Sequence, residues 1–179
     1  MDALQDALEK CNTNNPDKFA LLFLDGDRFK TINDSLGHLV GDQLLVAVAQ
    51  RLRQTVPSKY PIARLGGDEF TILVQGGDPL ICSQEVAQCV TLALGKPFHL
   101  KQQTVFFSAS IGIVVGPCNY TKPEQILRDA DIAMYRAKAK EKDKYLYFDA
   151  AMRQDAMEIM QIEQDLRSAI DRQDLQVYY

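Results

Sequence analysis

The stretch Phe19-Ala20-Leu21-Leu22-Phe23-Leu24-Asp25 decides the fold. Its apolar run shows no alternation, so it reads as a strand covered on both faces, and it stops on a carboxylate. A strand of that kind needs helices above and below it. Upstream, Met1 to Asn14 has helical spacing, with Leu4, Ala7, Leu8 and Cys11 on one side, and Asn12 to Pro16 breaks it. Downstream, Asp27 to Leu36 reads as a short helix with Phe29 and Ile32 three apart. Gly37 and Gly41 punctuate the chain before a long amphipathic helix. That helix turns Leu44, Leu45, Val48, Ala49, Leu52 and Val56 inward and stops at Pro57.

Further out, Tyr60 to Leu65 and Glu69 to Val74 read as strands joined by a two-residue turn at Gly66-Gly67. Asp78-Pro79 opens a helix, with Asp as N-cap and Pro at the first position. Its inner face holds Cys82, Val86, Cys89, Val90 and Ala93, and Gly95-Lys96-Pro97 ends it. Two strands are expected next, one around Lys101 to Gln103 and one over Val105 to Val115. Thr121-Lys122-Pro123-Glu124 reads as a capping box before a helix striped by Ile126, Leu127, Ala130, Ala133, Met134 and Ala137. Tyr145 to Phe148 is a last strand. The order α-β-α-α-β-β-α-β-β-α-β predicts a mixed α/β (α+β) domain, with helices packed on a central sheet. Past Phe148 the character changes. Ala150 to Arg172 is a charged, Gln- and Met-rich helical pattern, and Leu175 to Tyr179 looks like the start of a strand. A strand without a partner is not stable alone. The expected division is therefore a domain over 1–150, and a linker helix with the severed edge of another domain over 151–179.

Composition narrows the class. The chain has 179 residues, 20 Lys+Arg, 24 Asp+Glu, a net charge of -4 and 46% apolar residues, which excludes disorder as the default. No apolar run approaches a membrane span, and no basic-then-apolar segment opens the chain. Cys11, Cys82, Cys89 and Cys118 form no C-x-x-C pair and read as reduced, mostly buried thiols, so a cytoplasmic location is expected. The mild acidity argues against a nucleic-acid partner, and no membrane contact is expected of the domain.

Three groups of residues carry chemistry. Asp25 stands at the carboxyl end of the buried strand, and Asp68-Glu69 comes directly after the tight glycine turn. If the two strands are neighbours, Asp25 and Asp68 converge on one point. Two carboxylates completed by water and substrate phosphates are the usual seat of Mg²⁺, and one of them can also accept a hydroxyl proton. The plainer alternative is that Asp25 caps the next helix and Asp68 is a turn residue. The second group is basic: Arg136, Lys138, Lys140, Lys142 and Lys144 cluster at a helix end. They are either a solvated, dipole-complementing face or a clamp on phosphate oxygens. The third group is Asn33, Asp34, His38 and Asp42 at the junction of two helices. A carboxylate there accepts from guanine N1–H and N2–H₂ together, which adenine cannot offer. Helix capping by Asp34 and Asp42 is the alternative, and a lone His38 is more often structural.

These residues carry a family resemblance. Arg64-Leu65-Gly66-Gly67-Asp68-Glu69-Phe70 contains the GGDEF signature of diguanylate cyclases, unaltered. Leu24-Asp25-Gly26-Asp27-Arg28-Phe29-Lys30, Ile32-Asn33-Asp34, Gly37-His38 and Gly41-Asp42 match the family's upstream block in register. Ser108 to Ile113 resembles its later strand, and Asp131-Ile132-Ala133-Met134-Tyr135-Arg136-Ala137-Lys138 its last helix. The tail, Ile162 to Arg167 and on to Val177-Tyr178-Tyr179, resembles the lead-in to an EAL phosphodiesterase domain.

The resemblance implies a palm-type, ferredoxin-like sheet shared with nucleotidyl cyclases, and condensation of two GTP into cyclic di-GMP. It implies Mg²⁺ (or Mn²⁺) on Asp25, the Gly26 carbonyl and Asp68, with Asp68 also nearest the ribose 3′-hydroxyl as base. Asn33 and Asp42 would read guanine with His38 beside them, and Lys138 and Lys142 would meet the phosphates. Each protomer presents one GTP, so a homodimer is implied, as is an adjacent EAL domain in the parent protein.

There are departures from the family. Gly26 replaces a branched apolar residue, which predicts a looser strand end. Glu141-Lys142-Asp143 replaces Gly-Arg-Asn, which predicts a weaker phosphate clamp. Pro57 and Tyr60 stand where the family's Arg-x-x-Asp product-inhibition site would lie. The entry segment Leu-Pro-Asn-Arg does not precede Met1, which implies an N-terminally trimmed domain. Intact carboxylates favour an active cyclase. The EAL-like tail and the Lys142 segment favour a catalytically weak GTP-binding module that regulates an adjacent cyclic di-GMP phosphodiesterase.

Overall fold

The computed structural model describes residues 2–11, 18–101, 103–116, 120–140, 144–172 and 174–175. Lys142, Cys118 and nearly all of the strand expected at 175–179 lie outside the described residues. The chain forms two compact units, Met1–Phe148 and Asp149–Tyr179.

In the first unit, β1 (Phe19–Gly26) lies at the centre of a five-stranded sheet. Its neighbours are β3 (Glu69–Gln75) and β6 (Ala109–Val115), both antiparallel to it. The edges are β2 (Ile62–Gly66), antiparallel to β3, and β7 (Tyr145–Tyr147), parallel to β6. The period of two along β1 sends its side chains to opposite layers. Ala20, Leu22 and Leu24 face α3 (His38–Thr55) and α4 (Pro79–Leu94), in a core shared with Leu44, Val48, Leu52, Val86, Val90 and Leu94. Phe19, Leu21 and Phe23 face α1 (Asp2–Cys11) and α5 (Pro123–Ala139), in a second core with Leu4, Leu8, Ile126, Ala130 and Met134. The short helix α2 (Phe29–Leu36) comes after β1 and packs on α3 through the buried Phe29. The result is a mixed α/β domain whose central sheet is flanked by helices on both faces.

Several details depart from the sequence expectations. The α2 helix starts at Phe29 rather than Asp27, because Asp27 is bonded to Ser108 and Ser110 and Arg28 enters the helix with a left-handed φ of 58°. The tight turn is Gly67-Asp68 rather than Gly66-Gly67, since Gly66 still pairs with Glu69. Three strands stand where two were expected. β4 (Phe98–Leu100) and β5 (Gln103–Val105) form their own hairpin, and β6 begins only at Ala109. The expected strand Val105 to Val115 divides at Ser108, whose carbonyl and hydroxyl both turn to Asp27, at 2.8 and 2.6 Å. On α4 the buried stripe is Ser83, Val86, Ala87, Val90 and Leu94. Cys82 is half-buried and Cys89 exposed, so of the described cysteines only Cys11 is fully buried, and none of the three is joined in a disulfide. The helix α5 is closed one residue later than expected, by Gln125. Its side-chain carbonyl accepts from the backbone N–H of Thr121 and Lys122 at 2.9 and 3.3 Å.

The second unit holds α6 (Ala150–Asp171), capped by Asp149, whose carboxylate accepts from Ala151 N–H at 3.1 Å. Among the described residues no helix is long and apolar enough to cross a membrane.

One contact sets how closely α5 sits on the sheet. A Cβ at Gly112 in β6 would meet the Ala130 carbonyl oxygen at 1.9 Å and the Met134 nitrogen at 2.4 Å. Helix backbone cannot yield as a side-chain tip can. Gly112→Ala is therefore expected to destabilise the domain by about 3 kcal/mol, the upper end of the usual overpacking cost. Gly66→Ala, with nothing within 4 Å of the added carbon, should cost less than about 0.5 kcal/mol. Urea unfolding of the two variants checks the contrast.

Candidate functional site

The end of β1 gathers the polar residues. Leu24 pairs with Phe70 across the β1–β3 ladder, so the Gly67-Asp68 turn lies beside Asp25 and Gly26. The two strands are neighbours, and Asp25 and Asp68 do converge. A Cβ built on Gly26 would meet Asp68 Oδ2 at 2.7 Å, and the Asp68 carboxylate accepts from the Gly26 backbone N–H. Neither aspartate is a helix cap: α2 has no side-chain cap, and α3 starts from Gly37 without one, so Asp34 and Asp42 do not cap it either.

The same contact corrects the expected looseness at Gly26. The Phe107 ring lies 2.8 Å from where a Cβ would stand. Phe107 is buried and packs edge-on against Phe98, with centroids 6.1 Å apart. An aromatic ring from the segment before β6 thus occupies the space that a branched side chain on the strand would fill.

The charge of Asp25 acts on three acids around it. Burial, and then the charge of Asp25, pushes the Asp68 carboxyl above its usual range. Glu69 is pushed up by burial and by Asp25, Asp131 and Asp68. Asp131, on α5, is pushed up by burial and by Asp25. Sequence reasoning gave no role to Glu69 or Asp131. The signal was present for Asp131, which precedes Lys138 by two helical turns and so shares its face of α5.

Lys138 counters this field. Its ammonium donates to Asp25 Oδ1, and the Gly26 carbonyl oxygen lies 3.4 Å away. Burial pulls the Lys138 pKa down, but the hydrogen bond to Asp25 and the charges of Asp25, Asp27 and Asp68 outweigh it, and the net shift is upward. The expected phosphate clamp is therefore also a partner of the carboxylates.

Asp27, to which the sequence assigned no role either, is a latch. Its carboxylate accepts from Ser108 Oγ at 2.6 Å, Ser110 Oγ at 2.7 Å and Lys144 Nζ at 3.0 Å. Burial alone would raise its pKa, and these three donors together hold it below the usual carboxylate value. They fasten the end of β1 to β6 and to the residue before β7. Lys144 is thus a structural cation, and it lines a cleft of about 840 Å³ together with Lys138, Lys140, Arg28, Thr31 and Phe106.

The third group stands on α2 and α3. Asn33 lies against Gly41, where an added Cβ would meet Asn33 Oδ1 at 1.8 Å. That oxygen is buried without a hydrogen-bond partner. Asp42, next to Gly41, and His38, at the start of α3, are exposed. Tyr60 is buried in the first core, and Pro57 offers no charge.

Comparison with known proteins agrees with the fold. The family model described as "Diguanylate cyclase, GGDEF domain" matches residues 1–144. The chain belongs to the GGDEF domain family. The structure of TpbB from Pseudomonas aeruginosa comprising only its GGDEF domain superposes with a TM-score of 0.80 at 34% identity, covering 87% of this chain and 91% of that one. MucR of the same organism, a bifunctional diguanylate cyclase/cyclic di-GMP phosphodiesterase, is 36% identical over 178 residues, 99% of this chain and 26% of MucR. PdeR of Escherichia coli, a cyclic di-GMP phosphodiesterase, is 32% identical over 179 residues, 99% of this chain and 27% of PdeR. The chain spans about a quarter of the length of these two relatives.

The acid repulsion has a stability consequence. Because Asp68 has a folded pKa above its value in the unfolded chain, its charged form opposes folding. Asp68→Asn is expected to raise Tm at pH 7 in the presence of EDTA by about 1–3 °C, a modest gain because the site is partly exposed and screened. The opposing contribution grows as pH rises from the ordinary value of 3.8 through the raised folded value. The gap between variant and wild type should therefore close as pH falls through that window, as thermal melts across pH would read.

Proposed function

We propose that the Met1–Phe148 domain is a diguanylate cyclase that condenses two GTP into cyclic di-GMP. The observation that carries this is the meeting of Asp25, the Gly26 carbonyl and Asp68 at the end of β1.

These oxygens suit Mg²⁺ or Mn²⁺, and the fit has a direct indicator: the Lys138 ammonium lies on Asp25 Oδ1 and beside the Gly26 carbonyl, so these acceptors already hold positive charge. Among the described residues no three His, Cys, Asp or Glu side chains group as ligands. Mg²⁺ is commonly held by one or two carboxylates and completed by substrate phosphates. When bound, the ion would neutralise charge on the attacking and leaving oxygens.

The chain's own residues supply the rest. Asp68, with its raised pKa, is placed to take the proton of the ribose 3′-hydroxyl as that oxygen attacks the α-phosphorus of the other GTP and pyrophosphate leaves. The N-terminus of α2 has no side-chain cap and opens beside the cleft that Arg28 and Thr31 line, which suits an anionic triphosphate. Lys138 and, by resemblance, Lys142 add positive charge. Asp42 accepts the N1–H and N2–H₂ of guanine. The unpaired Asn33 Oδ1 is an acceptor that a base N–H would satisfy, and His38 borders the same site. A homodimer presenting one GTP from each protomer completes the reaction centre. Residues from Asp149 onward are the lead-in to an EAL domain in a longer signalling protein. PdeR, whose name is that of a phosphodiesterase, favours a second reading: a GTP-binding module of weak activity that regulates an adjacent phosphodiesterase.

Incubation with GTP and Mg²⁺ followed by chromatography separates the two. Cyclic di-GMP is expected, and Asp68→Ala should lower its rate roughly 10²–10⁴-fold, the usual contribution of a general base. Undiminished product from that variant would overturn the role given to Asp68. GTP binding with no product from the wild type supports the regulatory module instead. Asp42→Asn should reduce the preference for GTP over ATP by about tenfold or more in competition binding. Unchanged preference would overturn the guanine contact.

A further inference from the structure

Lys138 occupies an unusual position for a phosphate ligand. Its ammonium is bonded to Asp25 Oδ1 and lies 3.4 Å from the Gly26 carbonyl oxygen, the very oxygens that a divalent cation would use. Its side chain is 40% exposed, so it can leave that seat without unpacking the core, whereas Asp25 is 18% exposed and fixed at the strand end. The other lysine at the site differs: Lys144 is bonded to Asp27, which two serine hydroxyls also hold. Asp27 does not lack donors if Lys144 moves, but Asp25 and Asp68 face each other across Gly26 with Lys138 as the nearest described cation.

We propose that Lys138 is a resident counter-cation that competes with the divalent ion for Asp25 and the Gly26 carbonyl, so that the ion binds well only when a triphosphate draws the ammonium away. The proposal rests on the metal site described above and concerns its regulation. Two cations cannot share Asp25 Oδ1 at bonding distance, because like charges a few ångströms apart in a partly buried site repel strongly. A polyphosphate offers Lys138 a new partner, which frees the carboxylate for the ion. Metal and nucleotide binding then become coupled through one side chain, and by linkage each strengthens the other.

The test is Mn²⁺ binding to the full chain without nucleotide, read by electron paramagnetic resonance of the free ion. Lys138→Met should bind Mn²⁺ at least about tenfold more tightly than wild type, while binding a non-hydrolysable GTP analogue more weakly. Lys138→Arg, which keeps the charge, should leave Mn²⁺ affinity near the wild-type value. It also guards against misfolding of the Met variant, with circular dichroism of each protein as the check. Asp25→Asn should lower Mn²⁺ affinity in every background. Equal Mn²⁺ affinity for wild type and Lys138→Met, with loss in Asp25→Asn, leaves the metal site standing and overturns the competition. Mn²⁺ binding indifferent to both Lys138 and Asp25 overturns the metal site itself and the proposal with it. A Met variant that binds Mn²⁺ more weakly overturns the competition.

Discussion

Strand β1 has a partner on each edge and a helix layer on each face, and the five-stranded sheet and its covering helices in the first unit are placed by that constraint. Its backbone groups are satisfied by β3 and β6, and its side chains are shared between two cores. The strand can therefore neither shift register nor rotate without exposing one apolar set. The residues just beyond Leu24, where its continuous buried run ends, are accordingly held in place. Asp25 emerges where the cover ends, and the Gly67-Asp68 turn is brought beside it because β3 is the antiparallel neighbour. A site made from two turns becomes rigid because the strands behind it are.

The polar residues at this end form two balances of charge. Around Asp27 the balance is closed: two hydroxyls and one ammonium surround the carboxylate, and the effect is to fasten three strands together. Around Asp25 and Asp68 it is open. Glu69 and Asp131 add further negative charge, and Lys138 answers only part of it. A protein that left such repulsion in place for structure alone would gain from neutralising it. Excess negative charge at the mouth of a strand is what a site for cations needs. This is the usual conflict between a site and the stability of the fold around it.

Close packing has replaced bulk at two places where the family resemblance predicts otherwise or is silent. At Gly26 the ring of Phe107 fills the position of a missing side chain, so the departure from the family pattern does not loosen the strand end. At Gly41 the absence of a side chain lets the Asn33 amide lie against the helix backbone, leaving its oxygen buried and unpaired. Both contacts join residues far apart along the chain or on different helices. Arg51 shows the same non-local logic: its guanidinium clasps the turn after α4 by donating to the Lys96 and Pro97 carbonyls, at 2.6 and 2.9 Å, and stacks 3.4 Å over the Phe98 ring.

The amino-acid sequence alone determined the features that depend on local pattern. The buried strand, the helix faces at Leu4, Leu8, Leu44, Val48 and Ile126, the Pro79 helix start and the family motif were all legible, because period and capping chemistry are written over a few residues. The bland readings of Asp25 and Asp42 as caps could not be separated from the functional ones at that level, since an aspartate before a helix looks the same in either role. Only tertiary structure removed the capping reading, because α2 and α3 carry no side-chain cap. It also decided that Lys144 serves Asp27 while Lys138 serves Asp25, that Ser108 lies outside β6, and that Asp131 and Glu69 belong to the acidic field. Each of these depends on distances of a few ångströms between segments separated by tens of residues, and electrostatic and hydrogen-bond energies change steeply over such distances.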